Sequence, residues 1–469
     1  MSVSTFRGIE TTLRGLLAQQ RSLDVSGHNI ANANTVGYTR QRAELAASRP
    51  LDIGPQGLLG SGVDLTNFVR VRDDFIDVQL RAQTLLKGAA DAREDGLAQV
   101  ELVLNEPSER GLSTQISRYF AAWQDLAGAP ENMATRQALV ESARGMAEGF
   151  ANLAGQLDTI RTQTAGAVTN TVDEANSLGR DLLALNEAIK AAQAVGHEPN
   201  DLKDQRDVVL DKLGVIGSVG VKDDDGDGAV TVTVNGVTLI DGTTLRTLSE
   251  SGGLLSNDAP TPESATLTPE LGKLGGLVEL RDRTLPGYRA SLDALAGTLI
   301  AQTNAIHGGG TDVNGVVRPG GYGLDGVGGR PFFSGTDAAS IAVAALPEQV
   351  AAASATGKPG DPSNAQLIAA IRTDATLAPL AGATIADAYA QLVTKIGSDS
   401  REAQRAAENG KVLSDVLENR RQSVSGVSID EEMTNLVRFQ RGYQASARAL
   451  NAMDEMIDLL INRTGRVGL

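Results

Sequence analysis

Apolar residues at both ends of the chain recur every three or four positions, which is typical of a helix with one narrow apolar stripe. Near the start the stripe consists of Phe6, Ile9, Leu13, Leu16, Leu23 and Ile30. Near the end it consists of Ile429, Leu436, Phe439, Tyr443, Leu450, Met453, Ile457 and Leu460. Most members of each set are seven residues apart, as in a coiled-coil seam. The pattern predicts that the two ends pair as antiparallel helices. The alternative is that each end is an amphipathic helix on a globular core.

A polar segment follows the first stripe and predicts a structured loop. It contains the turn-forming or cap-forming residues Asn29, Asn32, Asn34 and Gly37, and Tyr38 completes the candidate loop. Asn and Gly favour helix ends and turns, because they tolerate left-handed backbone conformations. We therefore expect the first helix to end near Asn32.

The chain between the two stripes is predicted to form one long insertion between the terminal helices. Helical periodicity dominates, and the pattern from Leu139 to Ile189 predicts one long rod. Valine-rich runs around Asn235-Gly236 predict a β-hairpin. The predicted parts are a terminal coiled-coil domain (1–45 with 425–469), a connector (46–72), a helical bundle (73–214 with 271–307 and 381–424), a β-rich insertion (215–270) and a Gly-rich insertion of β and loop structure (308–380). The fold class is mainly α with β insertions, in an elongated molecule with small outer β-rich parts.

Composition limits the partners. Formal net charge is −16 over 469 residues, which argues against nucleic acid, because such binding depends on neutralising phosphates. The chain has no cysteine, so disulfides and thiolate chemistry are excluded. We find no cleavable signal and no apolar run of membrane-spanning length.

Candidate chemistry is weak. Asp223, Asp225 and Asp227 match half of a calcium loop, but Val234 stands where its bidentate Glu belongs. Asp204 and Asp207 suggest paired acid/base carboxylates, although a charged helix face is the favoured interpretation. The three histidines are spread along the chain, and a Gly-rich run at 321–326 lacks the strand and helix of a dinucleotide site. We therefore predict no enzyme activity, no cofactor and no metal.

Several motifs carry a family resemblance. Ser22-Leu-Asp-Val and Asn29-Ile-Ala-Asn-Ala-Asn-Thr-Val-Gly-Tyr38 resemble the N-terminal signature of flagellar rod, hook and hook-associated axial proteins. Trp123-Gln-Asp-Leu-Ala, Pro199-Asn-Asp-Leu-Lys-Asp-Gln-Arg-Asp207 and the run from Val427 to Ala447 resemble one branch, the flagellar hook-associated protein 1 family.

The resemblance implies a structural role at the junction between the flagellar hook and filament. It also implies self-assembly as a ring or helix, the hook protein and the second junction protein as neighbours, an export chaperone on the C-terminal helix, and type III export out of the cell without signal cleavage. The alternatives are another axial protein, such as the hook protein or the second junction protein, or a ligand- or calcium-binding surface module.

Overall fold

The structure is a computed structural model that describes residues 6–52, 57–223 and 226–462, without the side chains of Phe6, Leu51 and 460–462. The helices are α1 (Phe6–Ala31), α2 (Asp74–Leu104), α3 (Leu112–Gly128), α4 (Met133–Ala194), α5 (Asn200–Ile216), α6 (Gly272–Glu279), α7 (Leu285–Gly308), α8 (Ser363–Ala370), α9 (Ile385–Ser425) and α10 (Ile429–Asn462). A π-helical turn at Leu280–Thr284 joins α6 to α7. The mainly α prediction is confirmed.

The described strands form six small antiparallel sheets. They are β1 (Gln41–Ala47), β2 (Leu51–Asp52), β3 (Leu58–Leu59), β4 (Val63–Arg70), β5 (Val219–Lys222), β6 (Thr231–Val234), β7 (Val237–Asp241), β8 (Thr244–Leu245), β9 (Leu248–Ser251), β10 (Leu254–Asn257), β11 (Ser264–Thr266), β12 (Gly310–Thr311), β13 (Val317–Arg318), β14 (Phe333–Ser334) and β15 (Ala342–Val343). The largest sheet has the order β5-β6-β7-β8. Its central turn is Asn235-Gly236, where both residues have positive φ, as the Asn-Gly signal predicts.

Helix α4 is the rod that the pattern predicts. It runs for 62 residues without a break, which corresponds to about 90 Å. Its first turn is capped by Asn132, whose side chain accepts a hydrogen bond from the Ala134 amide at 2.8 Å. Buried residues recur along one side of α4 from Leu139 to Ile189, so other elements pack against this side of the helix.

Two hydrophobic cores lie along this side of α4. The first packs the N-terminal half of α4 against α3, α7, α8 and α9, and Trp123 and Phe150 are fully buried in it. The second packs the C-terminal half of α4 against α5, α6 and the β5–β11 sheets. Asn176 of α4 pairs with both backbone groups of Leu248, at 2.9 and 2.8 Å, and so anchors the edge of β9.

Two segments differ from their description as surface parts. The predicted Gly-rich insertion at 308–380 contains α8 and places Phe332 and Phe333 in the first core, against Trp123. The predicted connector is largely the β1–β4 hairpin, which begins earlier, at Gln41. The contact of Phe332 with Trp123 was not visible in the sequence, because it joins residues far apart in the chain. The proposed domain division stays a prediction.

Candidate functional site: the terminal helix pair and its base

Glycines lie on the contact line between α1 and α10. Three close approaches mark it, namely Gly8 with Met453, Gly15 with Ser446 and Gln19 with Gly442. A step of seven along α1 matches a step of seven back along α10, so the two helices are antiparallel, as predicted. A methyl group added at Gly8 would lie 3.0 Å from the Met453 sulfur. Glycine therefore lets the two backbones approach closely.

The predicted apolar stripe of α1 lies beside this contact line. The α1 residues that are buried are Ala18, Ser22, Ser26 and Asn29. Ile9, Leu16, Leu23 and Ile30 are only half-buried, and Leu13 is 42% exposed. The Phe6 side chain lies outside the described residues. The α1 stripe is therefore only partly covered within the chain, and its role as an assembly seam stays a prediction.

The α10 stripe lies along the same groove. Leu436, Phe439, Tyr443, Leu450, Met453 and Ile457 are all half-buried. Ile429 is 50% exposed at the start of the helix, so it lies outside the intrachain contact, and the Leu460 side chain lies outside the described residues. On helical geometry the two stripes flank one side of the contact line. We call this partly covered apolar surface the terminal groove.

The β1–β4 hairpin covers the other side of α1. Arg14 donates hydrogen bonds to Ser48 and Asp64, both at 3.1 Å. Gly62 lies against Thr11, where an added methyl group would come within 3.3 Å. Since Arg14 is about 200° around the helix from Leu16, the hairpin and the terminal groove face in different directions. The groove is thus left open in this chain.

The signature loop below α1 is organised by Asn29, which is buried. Its amide nitrogen donates to the Gln41 carbonyl at 2.9 Å, and its oxygen accepts from the Gln41 amide at 3.0 Å. The Tyr38 hydroxyl donates to the same oxygen at 2.8 Å. One side chain therefore satisfies both backbone groups of the first residue of β1, and it fixes where the hairpin leaves the helix.

The other predicted loop residues have unequal roles. Asn32 donates to the His28 carbonyl at 3.1 Å and closes the helix end, one residue after α1 stops. Gly37 has a φ of +80°, and an added methyl group would lie 2.0 Å from Val208 of α5. Burial raises the pKa of Tyr38. Asn34 is exposed.

An ion-pair network joins this loop to the base of α10. Arg40 donates to the buried Glu432 at 2.7 Å and to Glu431 at 2.8 Å. Its backbone amide donates to the Ser425 carbonyl at 2.9 Å. Arg40 thus gives the buried Glu432 carboxylate an ion-pair partner. The loop after the first helix therefore positions the start of the last helix.

The network continues into the helical part through α5. Asp204 accepts from the Thr39 amide at 2.8 Å and from Arg70 at 2.9 Å. Asp207 accepts from Arg70 at 2.7 Å and also from Arg72. Burial raises the pKa of Asp204, and the Arg70 hydrogen bond opposes that shift. These two carboxylates are engaged with arginines and backbone, which agrees with the charged-face interpretation.

Sequence reasoning missed the arginines of this network. Arg40, Arg70, Arg72 and Arg421 each pair with acids that are remote in sequence, up to 392 positions away. A single sequence carries no signal for such pairs. By contrast, the Asp204 to Asp207 element was visible as a charged cluster.

The described residues contain neither a metal-binding cluster nor a membrane-spanning helix. They contain no group of three His, Asp or Glu side chains that could hold a metal ion. The strands that flank the acidic turn are β5 and β6, as expected, while Asp225 lies outside the described residues. No helix in the described ranges is both long and apolar enough to cross a membrane.

Three family profiles match the chain in order. Residues 9–39 match the flagella basal body rod protein profile, and residues 419–463 match the flagellar basal body rod FlgEFG protein C-terminal profile. Between them, residues 97–333 match the flagellar hook-associated protein FlgK helical domain. The first two ranges hold the α1 and α10 sides of the terminal groove.

Whole-length relatives agree. Flagellar hook-associated protein 1 of Bacillus subtilis is 30% identical, with 98% of this chain and 99% of the relative covered. That of Escherichia coli is 27% identical, covering 97% and 99%. A flagellar hook junction protein FlgK structure from Burkholderia pseudomallei shares the fold, with a TM-score of 0.64 at 16% identity over 74% of this chain and all of that one. The chain therefore belongs to the flagellar hook-associated protein 1 family.

Proposed function

We propose that the chain is a structural subunit of the bacterial flagellum that forms the junction between hook and filament and is needed for filament assembly. Family membership over the whole length supports the role. The single structural observation that carries the proposal is the open terminal groove on the α1–α10 pair. A lone molecule would leave this apolar surface in water, which is characteristic of an assembly surface.

The terminal groove suits a helix from a neighbouring copy. Its two flanking stripes repeat by seven, the spacing that receives side chains from a third helix. Covering one half-exposed leucine contributes roughly 1.5 kcal/mol, about half of a full burial. Leu13 of the groove and Leu17 on the same helix are exposed and would add to the gain. Identical subunits joined through one heterologous contact form a ring or a helical tube.

The neighbours follow from this role. The chain assembles with other flagellar axial proteins. The finer proposal is that the hook protein lies on one side and the second junction protein on the other. An export chaperone would cover α10 before assembly, because exposed Met433, Val437 and Leu459 on this helix otherwise favour aggregation. We propose that the chain acts outside the cell after type III export, without nucleic-acid or membrane partners and without catalysis.

Deleting the gene and restoring variants tests the function. We expect the deletion strain to make hooks without filaments and to lose flagellin to the medium, and we expect the native gene to restore filaments. Leu13→Asp places a charge in the groove and should block restoration while the protein stays folded. Leu102→Asp is the matched control, since Leu102 is 80% exposed on the helical part. Normal filaments in the deletion strain would refute the proposed function.

A further inference from the structure

The signature loop carries an exposed apolar side chain on a fixed backbone. Val36 is 88% exposed. The loop around it is held by hydrogen bonds from the Thr35 amide to the Asn32 carbonyl at 2.9 Å and from the Tyr38 amide to the Thr35 carbonyl at 3.2 Å. Gly37 then packs against Val208 of α5. Val36 is therefore a preorganised projection on the α5 side of the molecule.

A second apolar surface lies on the paired helices α2 and α9. It consists of Phe75, Leu86, Leu413, Val416 and Val424, all exposed, with Phe75 at 67%. We call it the stalk face. The two helices run antiparallel here, because Lys87 contacts Gly410 and Arg421 lies 3.9 Å from Asp77. Phe75 and Val424 therefore lie at the same end of the face, next to the terminal helices.

The stalk face points away from α5. On α2 the contacts with α5 are made by Arg81, which donates to Asp211 at 2.9 Å, and by Gly88, which abuts the Val215 carbonyl. Phe75 lies about 120° or more around the helix from both of these residues. On α9 the flank towards α5 carries Glu418, in a cavity that Asp211 and Val215 also line. The members of the stalk face on α9 are likewise about 120° or more from Glu418.

The projection and the face lie at one level of the molecule. Val208, which Gly37 contacts, is adjacent to Asp207, and Arg72 binds both Asp207 and Asp77. Asp77 is two residues from Phe75. The loop that carries Val36 thus lies beside α5, and the Phe75 end of the stalk face is exposed on the flank of α2 turned away from α5.

We infer that Val36 of one copy packs on the Phe75–Val424 end of the stalk face of the next copy. An apolar projection and an apolar face on different sides at one level form a heterologous contact, which gives a ring or a helical assembly when repeated. Both halves are supplied by this chain and both are exposed apolar side chains, so a second copy covers each of them. The inference rests on the proposed function and deepens it, since it adds a contact outside the terminal groove.

Cysteine cross-linking tests this contact cleanly, because the native chain has no cysteine. The gene with Val36→Cys and Phe75→Cys together is expressed in the deletion strain, and intact flagella are treated with a short bis-maleimide. We expect covalent oligomers longer than dimers. Each single variant should give no such ladder. Val36→Cys with Val424→Cys is a second pair, in case Phe75→Cys impairs folding.

The matched control is Val36→Cys with Leu102→Cys. Leu102 is exposed on α2, the helix that carries Phe75, but it is 27 positions, or roughly 40 Å, from Phe75. A ladder from either test pair and none from the control supports the contact. Filaments restored without a ladder from both test pairs overturn it and leave the proposed function intact. Failure of the native gene to restore filaments would instead count against the proposed function.

Discussion

Replacing Asn29 with alanine removes the side chain that organises the signature loop. The native amide forms hydrogen bonds of 2.9 and 3.0 Å with the two backbone groups of Gln41, and both partners are buried. The Tyr38 hydroxyl loses an acceptor too, but it can turn to His28 Nδ1, which lies 3.1 Å away. The substitution therefore leaves two buried backbone groups without partners.

The free-energy cost of the substitution comes from the amide and the carbonyl of Gln41. Each orphaned buried group destabilises by roughly 1–3 kcal/mol, which gives about 3 kcal/mol for local opening of the loop. Since 1.36 kcal/mol corresponds to tenfold in an equilibrium, hydrogen exchange in the neighbouring backbone should accelerate about a hundredfold. The amides to follow are those of Thr39, which donates to Asp204, and Arg40, which donates to the Ser425 carbonyl. Mass spectrometry of peptides covering 39–47 measures the hydrogen-exchange rate of this segment.

Asn34→Ala is the matched control, because Asn34 has the same side chain in the same loop but is exposed. We expect its exchange to differ from that of the native chain by less than threefold. If Asn29→Ala and Asn34→Ala gave equal exchange rates, the assignment of Asn29 as the organising residue would be wrong.

Two further predictions concern the helical part. His307 is buried and neutral, since Nε2 accepts from the Ala351 amide at 2.8 Å, and burial lowers its pKa to about 4. The unfolded chain, with the ordinary value of 6.5, takes up the proton first as pH falls, so the free energy of unfolding should drop by up to about 3 kcal/mol between pH 6.5 and 4. Urea titrations across this range should show a smaller drop for His307→Gln and an unchanged drop for exposed His197→Gln. Gly276→Ala should destabilise by about 1–3 kcal/mol, because its methyl group would lie 2.5 Å from the Ala89 carbonyl oxygen. Gly155→Ala, in open space on α4, should instead stabilise by about 0.5–1 kcal/mol in the same titrations.

Local patterns predict the elements well wherever one periodicity dominates. The long rod of α4, the Asn-Gly turn between β6 and β7 and the end of α1 near Asn32 all follow from residues close together in sequence. Each depends on a rule of short range, namely helical periodicity, positive φ at a two-residue turn, or capping.

The terminal helices show where such reasoning stops. The repeat of Ile9, Leu16, Leu23 and Ile30 predicts a seam, but it cannot say which partner covers that seam. Gly8, Gly15 and Gly442 lie on the intrachain contact, and their small size gives no hydrophobic signal. The Arg40–Glu432 pair spans 392 positions, and only the folded chain brings the two together.

The central claim is that neighbouring subunits cover the terminal groove. Maleimide labelling of the Leu13→Cys variant tests it most directly. Position 13 is accessible in the single chain, and the introduced cysteine carries the only thiol of the variant. We predict that the thiol reacts readily in the purified monomer and at least tenfold more slowly in isolated flagella. Leu102→Cys should react equally in both. Equal reaction of Leu13→Cys in monomer and flagella would contradict the account.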